Sequence, residues 1–226
     1  MATVKSESVG SGNNRRRYRG RTPEQLQAER RQRLLDAALA LFGERGYANA
    51  PIELICTTAK VATRHFYEQF KGREELLSAI FDQIMEGLGQ QISNSMLDGD
   101  EPLAKRVSNA IGGGTLYLLD DARRARVICL ESVGVSPAME RRRREALHQL
   151  ASVIESYCDE LHEAGLLPAR NYHFPSVGLV GMMTELIVEW LVEDTGLTAG
   201  ELSRETVILF RAMIVGAQNY RDGGPG

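Results

Sequence analysis

Cysteine is scarce. The 226 residues hold three, Cys56, Cys129 and Cys158, an odd number at wide spacings that builds neither a disulfide framework nor a zinc site and suits a cytoplasmic protein. Aromatic residues make up 6% of the chain, with one tryptophan. Alternating β-branched runs bounded by turn pairs are missing, so no strand is expected. No run of about 18 apolar residues occurs either; the longest candidate, 178–190, is broken by Glu185, and no membrane partner is expected. The first 21 residues contain no apolar stretch of signal-peptide length, so they are expected to stay on the mature protein. Catalytic signatures are absent as well. GSGNN near the N-terminus is followed by no helix carrying Gly-Lys, and neither HExxH nor CxxC occurs. His65, His148, His162 and His173 are scattered, and the helical pair His148 and His162 lies about four turns apart, too far to share a metal. Proximity in sequence supports no serine triad. Neither an enzyme, a cofactor nor a metal site is expected.

What is present is ordinary globular material, 43% apolar and 25% charged, with charge unevenly spread. Residues 1–75 carry 14 Lys and Arg against 9 Asp and Glu, and the remainder 13 against 21. A basic N-terminal third suits a polyanionic partner. Much of the excess comes from Arg15, Arg16, Arg17, Arg19 and Arg21 in a Gly/Ser/Asn-rich stretch with nothing to bury, read as a flexible arm over 1–21. The same five arginines also read as a solubilising tail.

Helical signals begin at Thr22, with Pro23 at a first helical position and Glu24 in the first turn. Leu34, Ala38 and Leu41 recur at helical spacing, and Gly46 stands where a helix would end. Two short helices follow, 51–58 and 62–69, joined at Lys60 and Val61, which is a helix-turn-helix pattern. A longer helix starts after Lys71 and Gly72, and five more helical segments complete an all-α chain. The expected division is an arm (1–21), a three-helix helix-turn-helix domain (22–72) and a helical bundle (73–226).

A helix that reads duplex DNA presents short polar and basic side chains to base edges while its apolar side rests on a scaffold. In the string TRHFYEQF, Thr63, Arg64, His65, Phe66, Tyr67 and Phe70 fit: the two phenylalanines sit i, i+4 and inward, leaving the others outward. Lys71 lies at the start of the next helix, where backbone N–H groups and its ammonium suit a phosphate. An ordinary short helix with a solvated face has the same period.

The strings LLDAALALFGERGY and IELICTTAKVATRHFYEQFKGREELLSAIFD resemble the first four helices of the TetR-type bacterial transcriptional regulators, over about residues 28–85. DDARRARVICLE, residues 120–131, is also similar to members of that family. The resemblance implies a homodimeric repressor on a pseudo-palindromic double-stranded operator, released when a small ligand binds the C-terminal bundle. It implies base contacts from Thr63, Arg64 and His65, phosphate contacts from Tyr67 and Lys71, and support from Thr57 or Thr58 of the preceding helix. Two positions depart from the family pattern. Lys60 stands at the usual glycine of the turn, which requires a positive φ or a different turn and can add a phosphate contact. Ala62 stands at the usual N-cap serine, so Thr63 is expected to take over the cap. A DNA-binding protein without small-molecule control, governed by a protein partner or organising the chromosome, is the alternative.

For the bundle, Tyr117, Met183 and Trp190 are candidate ligand-cavity walls, with Glu131 and Glu185 as polar handles; the same residue types at helical spacing also read as core filler. Gly112, Gly113 and Gly114 in a helical pattern mark a hinge, a ligand approach or a close helix crossing. The last two helices carry Val180, Thr184, Ile187, Leu191, Phe210 and Ile214 as a candidate dimer interface, or bury them within one chain. Arg141–Arg144 reads as a solvated face between Glu140 and Glu145.

Deleting residues 1–21 should weaken operator binding and flatten its salt dependence, the slope of log K against log salt falling by about 0.9 for each phosphate that the arm would neutralise. Titration of a labelled operator at several salt concentrations measures this, and an unchanged slope would remove the arm from the interface.

Overall fold

The computed structural model describes residues 22–97 and 99–219; the arginine arm lies outside them. Among the described residues every regular element is helical: α1 (Pro23–Arg45), a single 3-10 turn (Tyr47–Asn49), α2 (Ile52–Ala59), α3 (Thr63–Tyr67), α4 (Arg73–Met96), α5 (Leu103–Leu119), α6 (Ala122–Arg126), a π-helical turn (Val127–Glu131), α7 (Pro137–Glu163), α8 (His173–Val192) and α9 (Ala199–Asn219). The periodic signals place these helices to within a few residues. The segment after Ala122 differs: instead of one helix to Val133, α6 is five residues long and passes directly into the π turn.

Local chemistry sets the boundaries. Thr22 accepts from the Gln25 amide while the Gln25 side chain accepts from the Thr22 amide, a reciprocal cap that starts α1. Ser136 accepts from the Met139 amide at the start of α7, again with proline at the first position. Gly46, at φ 83°, ends α1 in a conformation that L side chains rarely adopt.

One core runs from the N-terminal helices into the bundle. Leu34, Ala38 and Phe42 of α1, Ile55 of α2, Phe66 of α3 and Leu76, Leu77, Ile80, Phe81, Ile84 and Leu88 of α4 are all buried. They share one cluster with Leu118, Leu119, Val127 and Met139 of the bundle. Packing is therefore continuous across residue 72, and α4 belongs to both sides of it. A second cluster fills the far end of the bundle, between α5, α7, α8 and α9, around Val107, Ile154, Cys158, Leu161, Leu179 and Phe210.

Close backbone approach is required at two crossings. A Cβ on Gly43 would lie 2.5 Å from Arg123 Cβ, so α1 and α6 meet only because α1 has no side chain there. A Cβ on Gly112 would lie 2.9 Å from Val207 Cγ2 of α9, and the Ser203 hydroxyl donates to Gly112 O. Of the three glycines, Gly112 serves this crossing, while Gly113 and Gly114 face α4.

Lys60 adopts φ 55°, ψ 44°, the only positive φ of a non-glycine residue among the described residues. A side chain in this left-handed region costs on the order of 1 kcal/mol that glycine avoids. Lys60→Gly should raise the free energy of unfolding by about 0.5–1 kcal/mol, measured by urea denaturation.

Candidate nucleic-acid interface and regulatory cavity

The turn between α2 and α3 is built around Lys60. Its amide donates to Thr57 O at 3.1 Å and the Val61 amide to Cys56 O at 3.0 Å, the paired bonds of a Schellman cap. Arg33 of α1 donates to Lys60 O at 2.7 Å, which fixes the left-handed residue to the scaffold helix. Beyond it, Ala62 occupies the N-cap of α3 without a side-chain bond. Thr63 does not replace it, and α3 begins with no side-chain cap.

The turn presents α3 with one side down. Phe66 is fully buried and Phe70 nearly so, their ring centroids 5.7 Å apart, and the Arg31 guanidinium covers the Phe70 ring at 4.5 Å. Thr63, Arg64 and Tyr67 are exposed on the opposite side, Tyr67 to 58%. Lys60 and Lys71 are exposed beside them. His65 is half-buried and less free: its Nδ1 lies 2.7 Å from Glu68 Oε2 and 3.4 Å from an Arg30 guanidinium nitrogen. The His65 bond holds the Glu68 carboxyl below its usual range. Thr57 is exposed and donates to Glu53 O within its own helix. The Lys71 amide is already used, donating to Glu75 Oε2 at 2.6 Å, so its ammonium rather than its N–H is available to a phosphate. The roles of Arg30, Arg31 and Arg33 were not anticipated from the sequence, although the RRQR run carrying them directly follows Glu29 on the scaffold helix. Arg15, Arg16, Arg17, Arg19 and Arg21 lie outside the described residues.

Behind α3, the 3-10 turn joins the two halves of the molecule. Glu131, the last residue of the π turn, accepts from the Tyr47 amide at 2.7 Å and pairs with Arg126 at 3.4 Å. A π turn holds an extra residue, and here the residue it ends on faces the end of α1. The Tyr47 carbonyl accepts from Arg73, the first residue of α4, at 3.0 Å, and the Arg73 guanidinium lies 4.3 Å over the Tyr47 ring. A carboxylate of the bundle, a backbone unit after α1 and the start of α4 are thus linked in series. Ser136 adds a second link by donating to Glu74, and Arg142 of α7 pairs with Asp82 of α4 through Nε and Nη2.

Farther from α3, a cavity of about 40 Å³ lies between α4, α5, α7 and α8, walled by Leu88, Ile92, Gly114, Leu118, Ile154 and Met183 among others. An open cleft of about 520 Å³ between α4 and α7 adjoins it. The two share Leu88, Ile92, Leu150, Val153 and Tyr157, so the cleft leads to the cavity.

Of the residues expected to line a ligand site, Met183 alone reaches this cavity. Tyr117 is turned aside, its hydroxyl lying over Gly87 and its ring under the Arg124 guanidinium. Glu131 is the clamp on Tyr47. Glu185 is exposed, and Trp190 donates its indole N–H to Leu197 O. The missed lining, Ile92, Leu150 and Tyr157 included, comes from helices distant in sequence. The dimer candidates divide similarly. Val180, Ile187 and Phe210 are buried within their own chain and are unavailable to a partner. Thr184, Leu191 and Ile214 are half-buried. The apolar residues that do face outward are Phe174 and Val192 of α8 and Ile208 and Val215 of α9. By length and composition α8 is apolar enough to cross a membrane despite the break at Glu185; here it packs against α7 and α9.

Cys129 and Cys158 are buried, their thiols pushed up to about 12 and about 11, and no disulfide forms among the described cysteines. Among the described residues no group of three His, Cys, Asp or Glu side chains has the arrangement of a metal site.

A helix-turn-helix unit resting on a helical bundle defines a class of DNA-binding regulators. Residues 34–80 match the model of bacterial regulatory proteins, tetR family. The chain is 28% identical over 79 residues to the HTH-type transcriptional repressor DhaR of Mycobacterium sp. (strain GP1), and 29% over 90 residues to the HTH-type transcriptional regulator HbdR of Aromatoleum sp. (strain CIB). These matches cover 35% and 40% of this chain and span about two fifths of each relative, 40% and 39%. The whole fold is similar to the fatty acid degradation regulator FadR of Bacillus halodurans, with TM-score 0.74 and 20% identity over 85% of this chain and 97% of that one. It is also similar to FadR of Bacillus subtilis, solved in complex with stearoyl-CoA, with TM-score 0.67 and 22% identity over 79% and 96%.

Replacing Glu131 by alanine strands the half-buried Tyr47 amide and an arginine partner. Glu131→Ala should lower the free energy of unfolding by about 1–2 kcal/mol, read from urea denaturation, while leaving helix content unchanged by circular dichroism.

Proposed function

We propose that the protein is a homodimeric, cytoplasmic repressor that binds a pseudo-palindromic DNA operator and is released by a small hydrophobic ligand held in the bundle. The observation carrying this reading is the exposed face of α3, Thr63, Arg64 and Tyr67, held over a phenylalanine floor by a left-handed turn that Arg33 braces. Arg64 is the residue best suited to a guanine edge, because its planar fork matches O6 and N7 together. Thr63 and the less free His65 flank it. Lys60, Tyr67 and Lys71 surround the face with phosphate-binding groups, Thr57 stands on the preceding helix, and the arginine arm adds sequence-independent attraction.

Two copies are supported by surface left uncovered. In the single chain α8 is strongly apolar yet only 22% of its most apolar window is buried. Phe174 is 82% exposed, and Ile208 and Val215 of α9 are about half exposed. A Cβ at Gly178 or Gly181 would meet nothing within 4 Å, which leaves room for a partner helix to approach. A second copy set antiparallel across a two-fold axis would cover this face with its own.

Release follows from the connections of α4. A cavity of about 40 Å³ is far below the roughly 150 Å³ that accommodates benzene. A ligand entering there must part α4 from its neighbours, and α4 begins at Arg73, bonded to the Tyr47 turn that Glu131 holds. Movement of α4 is thereby passed to the spacing of the two α3 helices in the dimer.

Selection of genomic fragments by the purified protein at physiological salt, followed by sequencing, should enrich a short inverted repeat. Arg64→Ala should weaken binding to that repeat by about tenfold to a hundredfold and relax preference at the base pair it reads, measured by fluorescence anisotropy. Recovery of no common sequence, or of a single unrepeated half-site, would sink the dimeric-operator reading.

A further inference from the structure

The rim of the α4–α7 cleft carries no cation. Its polar residues are Glu86, Ser93, Gln149, Ser156 and Tyr157, and its floor is apolar. Glu86 is exposed and has no ion pair among the described residues. Two arginines of the flanking helices are engaged elsewhere: Arg142, one turn before Ala146, pairs with Asp82 through Nε and Nη2, and Arg106 donates to Met96 O at 2.7 Å. Along α7 the exposed neighbours include Arg141 and Arg144 as well as Glu145, His148, Asp159 and Glu160, but the residues that line the cleft themselves hold one carboxylate and no Lys or Arg. A ligand carrying phosphates would meet no counter-charge among the lining residues, and desolvating an unpaired anion against an apolar floor is costly. The inner cavity is more apolar still. Its threonine, Thr115, already donates within α5 or shares its proton with Thr206. Tyr157 lines both cavity and cleft, has no hydrogen-bonded partner among the described residues, and is the one polar side chain common to the two.

We infer that the effector is an uncharged lipophile with a single hydrogen-bonding group that meets the Tyr157 hydroxyl, and that a coenzyme A thioester is rejected at this rim. The inference rests on the reading of the bundle cavity as the effector site. It separates this chain from its fold neighbour in complex with stearoyl-CoA by ligand charge, not by chain length. Tyr157 is then a specificity-determining residue: burial raises its pKa, so it stays a neutral donor across the ordinary pH range.

Three probes share one alkyl chain and differ in head-group charge: 1-decanol, decanoate and decanoyl-CoA. Isothermal titration of the full chain, below micelle-forming concentrations, should give the order decanol, decanoate, decanoyl-CoA, with at least a tenfold span. Tyr157→Phe should weaken decanol binding five- to tenfold without changing the melting temperature of the free protein. Glu86→Gln should strengthen decanoate binding two- to threefold and leave decanol unaffected, which isolates charge from head-group size. Equal binding of the three, or tightest binding of the thioester, overturns the inference and keeps the cavity as an effector site. If none binds to the folded protein, the effector-site reading fails as well.

Discussion

A single apolar stripe on α4 closes two structures at once. Leu76, Leu77, Ile80 and Phe81 complete the core under α1, α2 and α3, while Ile84 and Leu88 continue the same stripe into the bundle, where Leu88 also walls the cavity. Burying one such side chain contributes about 1.5–3 kcal/mol, so the helix is held firmly along its first half. Its second half borders an open cleft toward α7. The helix that cannot leave the N-terminal core is the same one that borders the cavity and the cleft, so the two ends of the molecule share one packed element.

The left-handed turn works by a comparable economy of parts. Glycine would adopt its geometry without strain, but this chain uses lysine and recruits Arg33 from the scaffold helix to hold the carbonyl. The side chain so retained places an ammonium next to the exposed face of α3. Strain and charge are thus located at one residue, and the brace that offsets the first comes from the helix on which the whole unit rests.

The helices and the helix-turn-helix unit were legible in the sequence because period, caps and turn residues are local signals. Thr22 with Gln25, Ser136 with Met139, and the i, i+4 pair Phe66 and Phe70 all act within a few residues of one another. Position 131 was legible only as a polar residue in a helical stretch, since nothing in the composition of VICLE announces a π turn. The cavity wall was missed because its residues meet across four helices. The inward face of α8 was misassigned for another reason. A helix apolar nearly all round has no preferred side by period, and neighbouring helices decide which residues are covered.

The π turn has a consequence of its own. It differs from an α-helical turn by one residue, which corresponds to about 100° of rotation for whatever follows. Residues after the turn cannot slide gradually from one winding to the other; they advance by a whole position or not at all. Any return of residues 127–131 to ordinary helix would swing the Glu131 carboxylate off the Tyr47 amide in one click. The Glu131–Tyr47 link would thus break in one step, with a size set by the geometry of the peptide chain itself.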